Sequence, residues 1–450
     1  MIKNFDTYAN ARVPRYTSYP TALQFSESVG VEQQQNWLSM ISDTDSLSLY
    51  FHIPFCQSLC WYCGCNTSVP NGYDRVGEYL DSLVAEIKAV GSQVAKGAKV
   101  QHVHFGGGTP TFLSGDDFMN VMMLARETFT FADDAEVAVE VDPRTLSKDK
   151  VDAMVLAGVN RVSIGVQDFN LAVQTKINRV QTEDLVRDSV EWLRDRGIDN
   201  ISFDLMYGLP GQTEETLVET VSKAVAMSPD RISVFGYAHV PWFKKHQQLL
   251  NEEELPDLDA RAKQEKIIGD ALIAAGYEAI GFDHFAKPED SIALAARVGS
   301  LRRNFQGYTD DPADYLLAFG ASAISKLPGG FVQNDPHTGK YRELVAKNGG
   351  SGASKGVPIT QDDMIRSEII MTLMCNYHVN ITRICEKYGV WATDFEEDLA
   401  KLVPLVRDGL CRVKGYNVTV MPAARSLVRV VASAFDGYLD NAQVRHSKAV

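Results

Sequence analysis

Six short apolar stretches set the frame for this chain. They are SLSLYFHI (46–53), VQHVHFG (100–106), EVAVEV (136–141), RVSIGV (161–166), NISFDLMYG (200–208) and RISVFGYA (231–238). Each is rich in β-branched or aromatic residues and is followed by a turn residue, which marks a strand. Between them lie stretches with apolar residues at helical spacing, 76–92, 115–129, 147–157, 183–197 and 214–227. Strands that alternate with helices run parallel, joined by right-handed crossovers. Six units predict a partial (β/α)6 TIM-like barrel rather than a closed eightfold one. In such barrels chemistry collects at the C-terminal ends of the strands.

The motifs obey that rule. A loop with four of the seven cysteines, Cys56, Cys60, Cys63 and Cys65, follows strand 1. GGGTPT follows strand 2, Glu140 and Asp142 close strand 3, and Gln167 closes strand 4, with Arg179 in the next segment. Asp204 lies in strand 5, and Ala238 and His239 end strand 6. Acids on or beside apolar strands cost free energy unless partnered, which favours a functional role for Glu140 and Asp204. Three adjacent glycines let a backbone or ligand approach closely.

The cysteine spacing C-x3-C-x2-C-x-C has its own chemistry. Three thiolates on a short loop can hold three irons of a [4Fe–4S] cluster and leave the fourth iron open to a small molecule. A structural zinc is the alternative, although zinc sites usually pair two knuckles distant in sequence. A disulfide framework fits less well, since nothing marks the chain as secreted. Cys65, one residue beyond Cys63, reads either as a buried thiol or as a group facing the ligands or the substrate.

The remaining segments divide the chain further. Residues 1–45 read as an arm with a short helix at 31–42, or as a disordered tail. RYTSYPT (15–21) offers a cation and two phenols for a lid. A helix near 258–276 leads to a strand at 277–286, and the apolar stretch 316–325 returns backbone to the barrel mouth. Residues 329–341 read as a hairpin or loop. The barrel and its extension are expected over 46–347, a linker over NGGSGASKG (348–356), and a helical, winged-helix-like unit over 357–450. There Cys375, Cys385 and Cys411 read as core thiols.

The formal net charge of −14 argues against nucleic acid as a main partner, winged helix or not. No run of 18 apolar residues predicts a membrane span. The N-terminal residues lack the apolar segment of a signal peptide, and the sparse cysteines suit a reducing cytoplasm.

C-x3-C-x2-C with Tyr62 before the last cysteine resembles the radical S-adenosylmethionine (SAM) signature. HIPFC…CGCN, HFGGGTPT (104–111), EVDPR (140–144), GVQDFN (165–170), DLMYGLPGQT (204–213) and RNFQGYT (303–309) resemble the oxygen-independent coproporphyrinogen III oxidase family over nearly the whole chain.

The resemblance implies a [4Fe–4S] cluster on Cys56, Cys60 and Cys63, with SAM on the fourth iron. It implies that Tyr50, Gly107, Glu140 and Ile324 contact that SAM. A second SAM is implied at Tyr62, Gly108, Thr109, Gln167, Arg179, Asp204 and Ala238. The implied reaction converts two propionates of coproporphyrinogen III to vinyl groups, giving protoporphyrinogen IX for haem synthesis. A low-potential electron donor and a cytoplasmic monomer are implied with it. Cys65, Arg15, Tyr16, Tyr19, His239 and Gln306, together with Arg303 and His284, are candidates to meet the tetrapyrrole. Two other readings stay open: another radical SAM enzyme of this architecture, such as a methyltransferase or haem-ring-opening enzyme, and a haem-carrying chaperone without catalysis.

Overall fold

The fold was analysed in a computed structural model that describes residues 2–439. Six parallel strands form its centre: β1 (Ser46–Ile53), β2 (Lys99–Gly107), β3 (Thr130–Val141), β4 (Arg161–Gln167), β5 (Asn200–Tyr207) and β6 (Arg231–Gly236). They lie side by side in chain order, each parallel to the next. Helices Asp74–Gly91, Gly115–Thr128, Lys148–Leu156, Glu183–Arg194 and Glu214–Ala226 supply the crossovers. Their starts are written locally: Thr182 accepts a hydrogen bond from the Leu185 amide and Thr213 one from the Thr216 amide.

The stretch 277–286 is not one strand. Asp283 and its neighbours turn the chain, giving the antiparallel pair β7 (Glu278–Ile280) and β8 (His284–Ala286), with β8 antiparallel to β6. RNFQGYT forms a small hairpin, β9 (Arg302–Asn304) and β10 (Gly307–Thr309). β11 (Tyr315–Phe319) then adds to the free edge of β1, parallel to it. Three antiparallel strands continue the sheet, β12 (Ile324–Leu327), β13 (Gly330–Asn334) and β14 (Ala353–Pro358), to a total of twelve among the described residues.

Phe51, Phe105 and Phe319 occupy register positions on β1, β2 and β11, and their rings stack at 4.7 and 5.1 Å. All three are fully buried. Each such ring contributes about 1.5–3 kcal/mol by leaving water. The same stack fixes β11 beside β1, so the Gly320 turn lands at the strand end that precedes the cysteine loop.

Two further expectations are corrected. Residues 348–356 do not form a free linker: Ala353 onward is sheet strand, paired to β13, and Gly356 also exchanges amide hydrogen bonds with Ser26. Residues 329–341 hold a strand followed by the start of helix Thr338–Lys347. The N-terminal arm is ordered in two halves. Ala9, Val13, Tyr16 and Tyr19 join the core of the C-terminal unit, whereas Val29, Leu38 and Ile41 join the barrel core.

The C-terminal unit packs helices Gln361–Asn376, Ile381–Tyr388 and Val428–Ala432 with a three-stranded sheet, β15 (His378–Asn380), β16 (Cys411–Lys414) and β17 (Asn417–Val420). The β16–β17 hairpin is the expected wing. Cys375, Cys385 and Cys411 are buried, as core thiols would be. The last part of the expected unit, 440–450, lies outside the described residues.

Candidate active site

The cysteine loop leaves β1 and is sewn to the glycine loop after β2. The Gly108 amide donates to Ile53 O at 2.8 Å, and the Thr109 amide to Phe55 O at 2.9 Å. A methyl group on Gly108 would stand 2.5 Å from Thr67 Oγ1 and 2.6 Å from Phe55 O, so no other residue fits this crossing. Gly107 has φ +119° and its added Cβ would meet Ile53 O and the His52 ring at 2.9 Å.

Every cluster-candidate sulfur receives a donor. Thr67 Oγ1 donates to Cys56 Sγ at 3.1 Å and the Cys65 amide to Cys63 Sγ at 3.4 Å. Arg144 Nη2 and Arg179 Nη1 point at Cys60 Sγ from 3.5 and 3.6 Å. The neighbouring Cys65 side chain is the main cause that lowers the Cys63 pKa to about 7, against burial, which raises it. Cys65 is exposed as a residue, yet its sulfhydryl is enclosed: the Cys63 sulfur first, and burial after it, raise its pKa.

Behind Cys60 sits an ion network. Asp142 Oδ2 accepts from Arg144 Nη2 at 2.6 Å and from Arg179 Nη1 at 3.1 Å. Burial works against the Asp142 charge, but the two guanidinium groups outweigh it and hold its pKa below the usual range. Arg179 Nη2 donates to Gly165 O at 2.6 Å, while its buried Nε has no hydrogen-bond partner among the described residues. Three free thiols on one loop, donors on each sulfur and flanking guanidinium groups fit an anionic iron–sulfur cluster bound there.

Along the rim, Glu140 accepts from His104 Nε2 at 3.0 Å and from the Gly107 amide at 3.4 Å. Asp204 is enclosed nearby: burial first, then the Glu140 charge, raises its pKa to about 6. Gln167, buried, ends β4 with φ +67°. Thr109 is buried and its hydroxyl pairs with Thr111 at 2.7 Å. Tyr62 sits half-buried beside Val173 and Leu209. Ile324 opens β12 and is half-buried against Phe331 and Val357. Tyr50 is buried, its hydroxyl 2.9 Å from His52 Nδ1. Its ring meets Phe305 edge-on, centroids 4.7 Å apart.

Phe305 belongs equally to a cavity of about 500 Å³. Ala238, His239, Gln306, Arg15 and Arg303 also line it, as do Arg261 and Arg429, which sequence reasoning did not single out. His239 is held between Tyr237 Oη at 2.8 Å and Glu252 Oε1 at 2.9 Å.

Three candidates fall elsewhere. The hydroxyl of Tyr16 donates to Asp436 Oδ2 at 2.9 Å and that of Tyr19 accepts from the Gly437 amide at 2.9 Å. Both rings are buried in the C-terminal core, so they anchor the arm rather than face the cavity. His284 is buried and bound to Asp283 Oδ1 at 2.7 Å, one residue removed from the cavity wall. Asp142 and Arg144 were visible in EVDPR, but Arg261 and Arg429 carried no signal beyond their charge.

Comparison with known proteins agrees with this geometry. The Radical SAM superfamily profile matches residues 50–224. The oxygen-independent coproporphyrinogen III oxidase of Bradyrhizobium diazoefficiens is 46% identical over 444 residues, covering 99% of this chain and 98% of that one. The enzyme of the same name from Paracoccus denitrificans is 39% identical and covers 98% of this chain and 97% of its own. Among solved structures, the radical SAM enzyme coproporphyrinogen III oxidase (HemN) from Escherichia coli superposes with a TM-score of 0.91 at 38% identity, over 95% of this chain and all of that one. A chain with this fold, this cysteine loop and relatives of this identity across its whole length belongs to the oxygen-independent coproporphyrinogen III oxidase family of radical SAM enzymes.

Proposed function

We propose that this chain oxidatively decarboxylates two propionate side chains of coproporphyrinogen III to vinyl groups, giving protoporphyrinogen IX, with the tetrapyrrole held in the arginine-lined cavity. The observation that carries this reading is the Tyr50–Phe305 contact, through which the wall of that cavity touches the strand end that leads into the cysteine loop. When bound, the [4Fe–4S] cluster and SAM supply one-electron reduction and hydrogen-atom abstraction.

The chain's own residues supply position and dryness. Cys56, Cys60 and Cys63 hold the cluster. Glu140, fixed by His104 and Gly107, and Tyr50, fixed by His52, frame the SAM bound there, with Gly107 and Ile324. Arg179, Asp204, Gln167, Thr109, Gly108, Tyr62 and Ala238 receive a second SAM. The enclosure of Asp204 and the unpartnered Arg179 Nε support this assignment. Cys65 stays beside Cys63, where it faces the ligands. The Tyr50 and Phe305 rings keep water from the space between the two sites.

The enzyme works as a cytoplasmic monomer that takes electrons from a low-potential donor. Among the described residues no helix is long and apolar enough to cross a membrane. Anaerobic incubation with coproporphyrinogen III, SAM and a strong reductant should give protoporphyrinogen IX, read as protoporphyrin fluorescence after oxidation. Methyl transfer in place of vinyl formation, or tight haem binding without SAM cleavage, would overturn the proposal.

A further inference from the structure

We infer that Arg303, Arg15 and Arg429 form one anion site for the carboxylates of the tetrapyrrole other than the one being cleaved at that moment, and that this site tells substrate from product by counting charge. The inference rests on the reading that the cavity holds the tetrapyrrole. It begins with Arg303, whose side chain is only 4% exposed. Its guanidinium lies between the rings of Phe282 and Tyr308, 4.8 and 4.6 Å from their centroids. Asp283 Oδ1 is 3.7 Å from Nη1, too far for a hydrogen bond, and neither Nε nor Nη1 has a hydrogen-bond partner among the described residues. A buried guanidinium with two unmatched N–H groups is costly unless an anion completes it.

The other two cations come from different parts of the chain. Arg15 is contributed by the arm, whose neighbours Tyr16 and Tyr19 are locked into the C-terminal core. Arg429 comes from helix Val428–Ala432 of that same core and is buried. Both line the cavity with Arg303. Arg15 is lowered in pKa by burial, and Arg303 adds to that effect while Asp283 opposes it. For Arg429 burial is again first, with Arg15 and Arg303 next, and its pKa falls to about 10. The three cations therefore repel one another across the cavity.

Among the described residues two acids line the same cavity, Asp283 and Glu265, against five arginines, the other two being Arg12 and Arg261. Glu265 is weakened as a counter-charge because burial raises its pKa to about 7. Arg261 is already engaged with Tyr237 O at 2.8 Å. The surplus positive charge suits a polycarboxylate. Each propionate converted to vinyl removes one negative charge as carbon dioxide leaves, so the hold weakens stepwise from the tetracarboxylate to the dicarboxylate.

The test uses the cluster-loaded enzyme under anaerobic conditions and two non-reacting porphyrins, coproporphyrin III with four carboxylates and mesoporphyrin IX with two. Wild type should bind coproporphyrin III at least tenfold more tightly, by fluorescence quenching. Arg429→Met and Arg303→Met should abolish that preference. Should Arg303→Met not fold, Arg303→Lys retains the charge without the planar fork and should lose most of the preference. Equal wild-type binding of the two porphyrins, or an undiminished preference in Arg429→Met, would overturn the inference while turnover of coproporphyrinogen III left the function standing. Absence of both binding and turnover in wild type would instead sink the underlying reading.

Discussion

Glu86 accepts a hydrogen bond from the Gly320 amide at 2.8 Å, tying the crossover helix after β1 to the turn after β11. The carboxylate is fully buried and also accepts from Asn334 Nδ2 at 2.6 Å and Tyr341 Oη at 2.7 Å. Asn334 Nδ2 reaches Gly320 O as well, at 2.9 Å, so both polar groups of that peptide turn are clamped. Tyr79 continues the chain of contacts, donating to His52 O at 2.6 Å and accepting from the Ala321 amide at 3.0 Å. A buried acid thus fixes the turn between β11 and Ile324.

Burial raises the Glu86 pKa from 4.5 to about 7, against the three hydrogen bonds that lower it. A folded-state pKa above the unfolded one means that the folded protein binds the proton more tightly. The resulting stabilisation is complete below about pH 4.5, declines as pH rises through 7, and is absent above that. At about 1.4 kcal/mol per tenfold change in proton affinity, the swing is on the order of 3 kcal/mol. Denaturant unfolding at pH 5 and pH 8 should show this slope in wild type and a flatter one in Glu86→Gln. Identical slopes would refute it.

Cys60 is the cluster-candidate sulfur approached by both Arg144 and Arg179. Cys60→Ser, purified anaerobically, should lose the brown colour, fall well below about four irons per chain, and cleave no SAM. Turnover in that variant would contradict the ligand assignment.

Arg179 spans Asp142, Cys60 and Gly165 with one guanidinium, a span that an ammonium cannot reproduce. Arg179→Lys should keep its iron content but lower the rate of vinyl formation roughly 10- to 100-fold, the loss expected for one or two charged hydrogen bonds. Iron analysis beside product quantification separates this from simple cluster loss. An unchanged rate would remove Arg179 from the site.

Tyr16 was a candidate for the substrate, yet its hydroxyl is spent on Asp436 in the C-terminal core. Tyr16→Phe should therefore lower unfolding free energy by about 1.5–3 kcal/mol, since it strips a donor from a buried carboxylate. At a temperature where the variant is folded, KM for coproporphyrinogen III should stay within about twofold of wild type. A large KM change without destabilisation would restore Tyr16 to the cavity.

The sequence by itself determined the six parallel strands, because short runs of β-branched and aromatic residues alternating with amphipathic helices admit few other arrangements. It also determined the cysteine loop and the rim position of Glu140, Gln167, Asp204 and Ala238, since chemistry at strand ends is set by local chain order. Tertiary structure alone decided what the arm does. Arg15 and Tyr16 are neighbours in sequence, but one lines the cavity and the other is buried in the C-terminal core. Only the fold could pair Glu86 with Gly320, or bring Arg429 to Arg303, because those contacts join segments more than a hundred residues apart. Nor could local pattern show that 353–358 is a strand. Its small and polar residues carry no strand signal of their own, and the open edge of β13 supplies the hydrogen bonds that make it one.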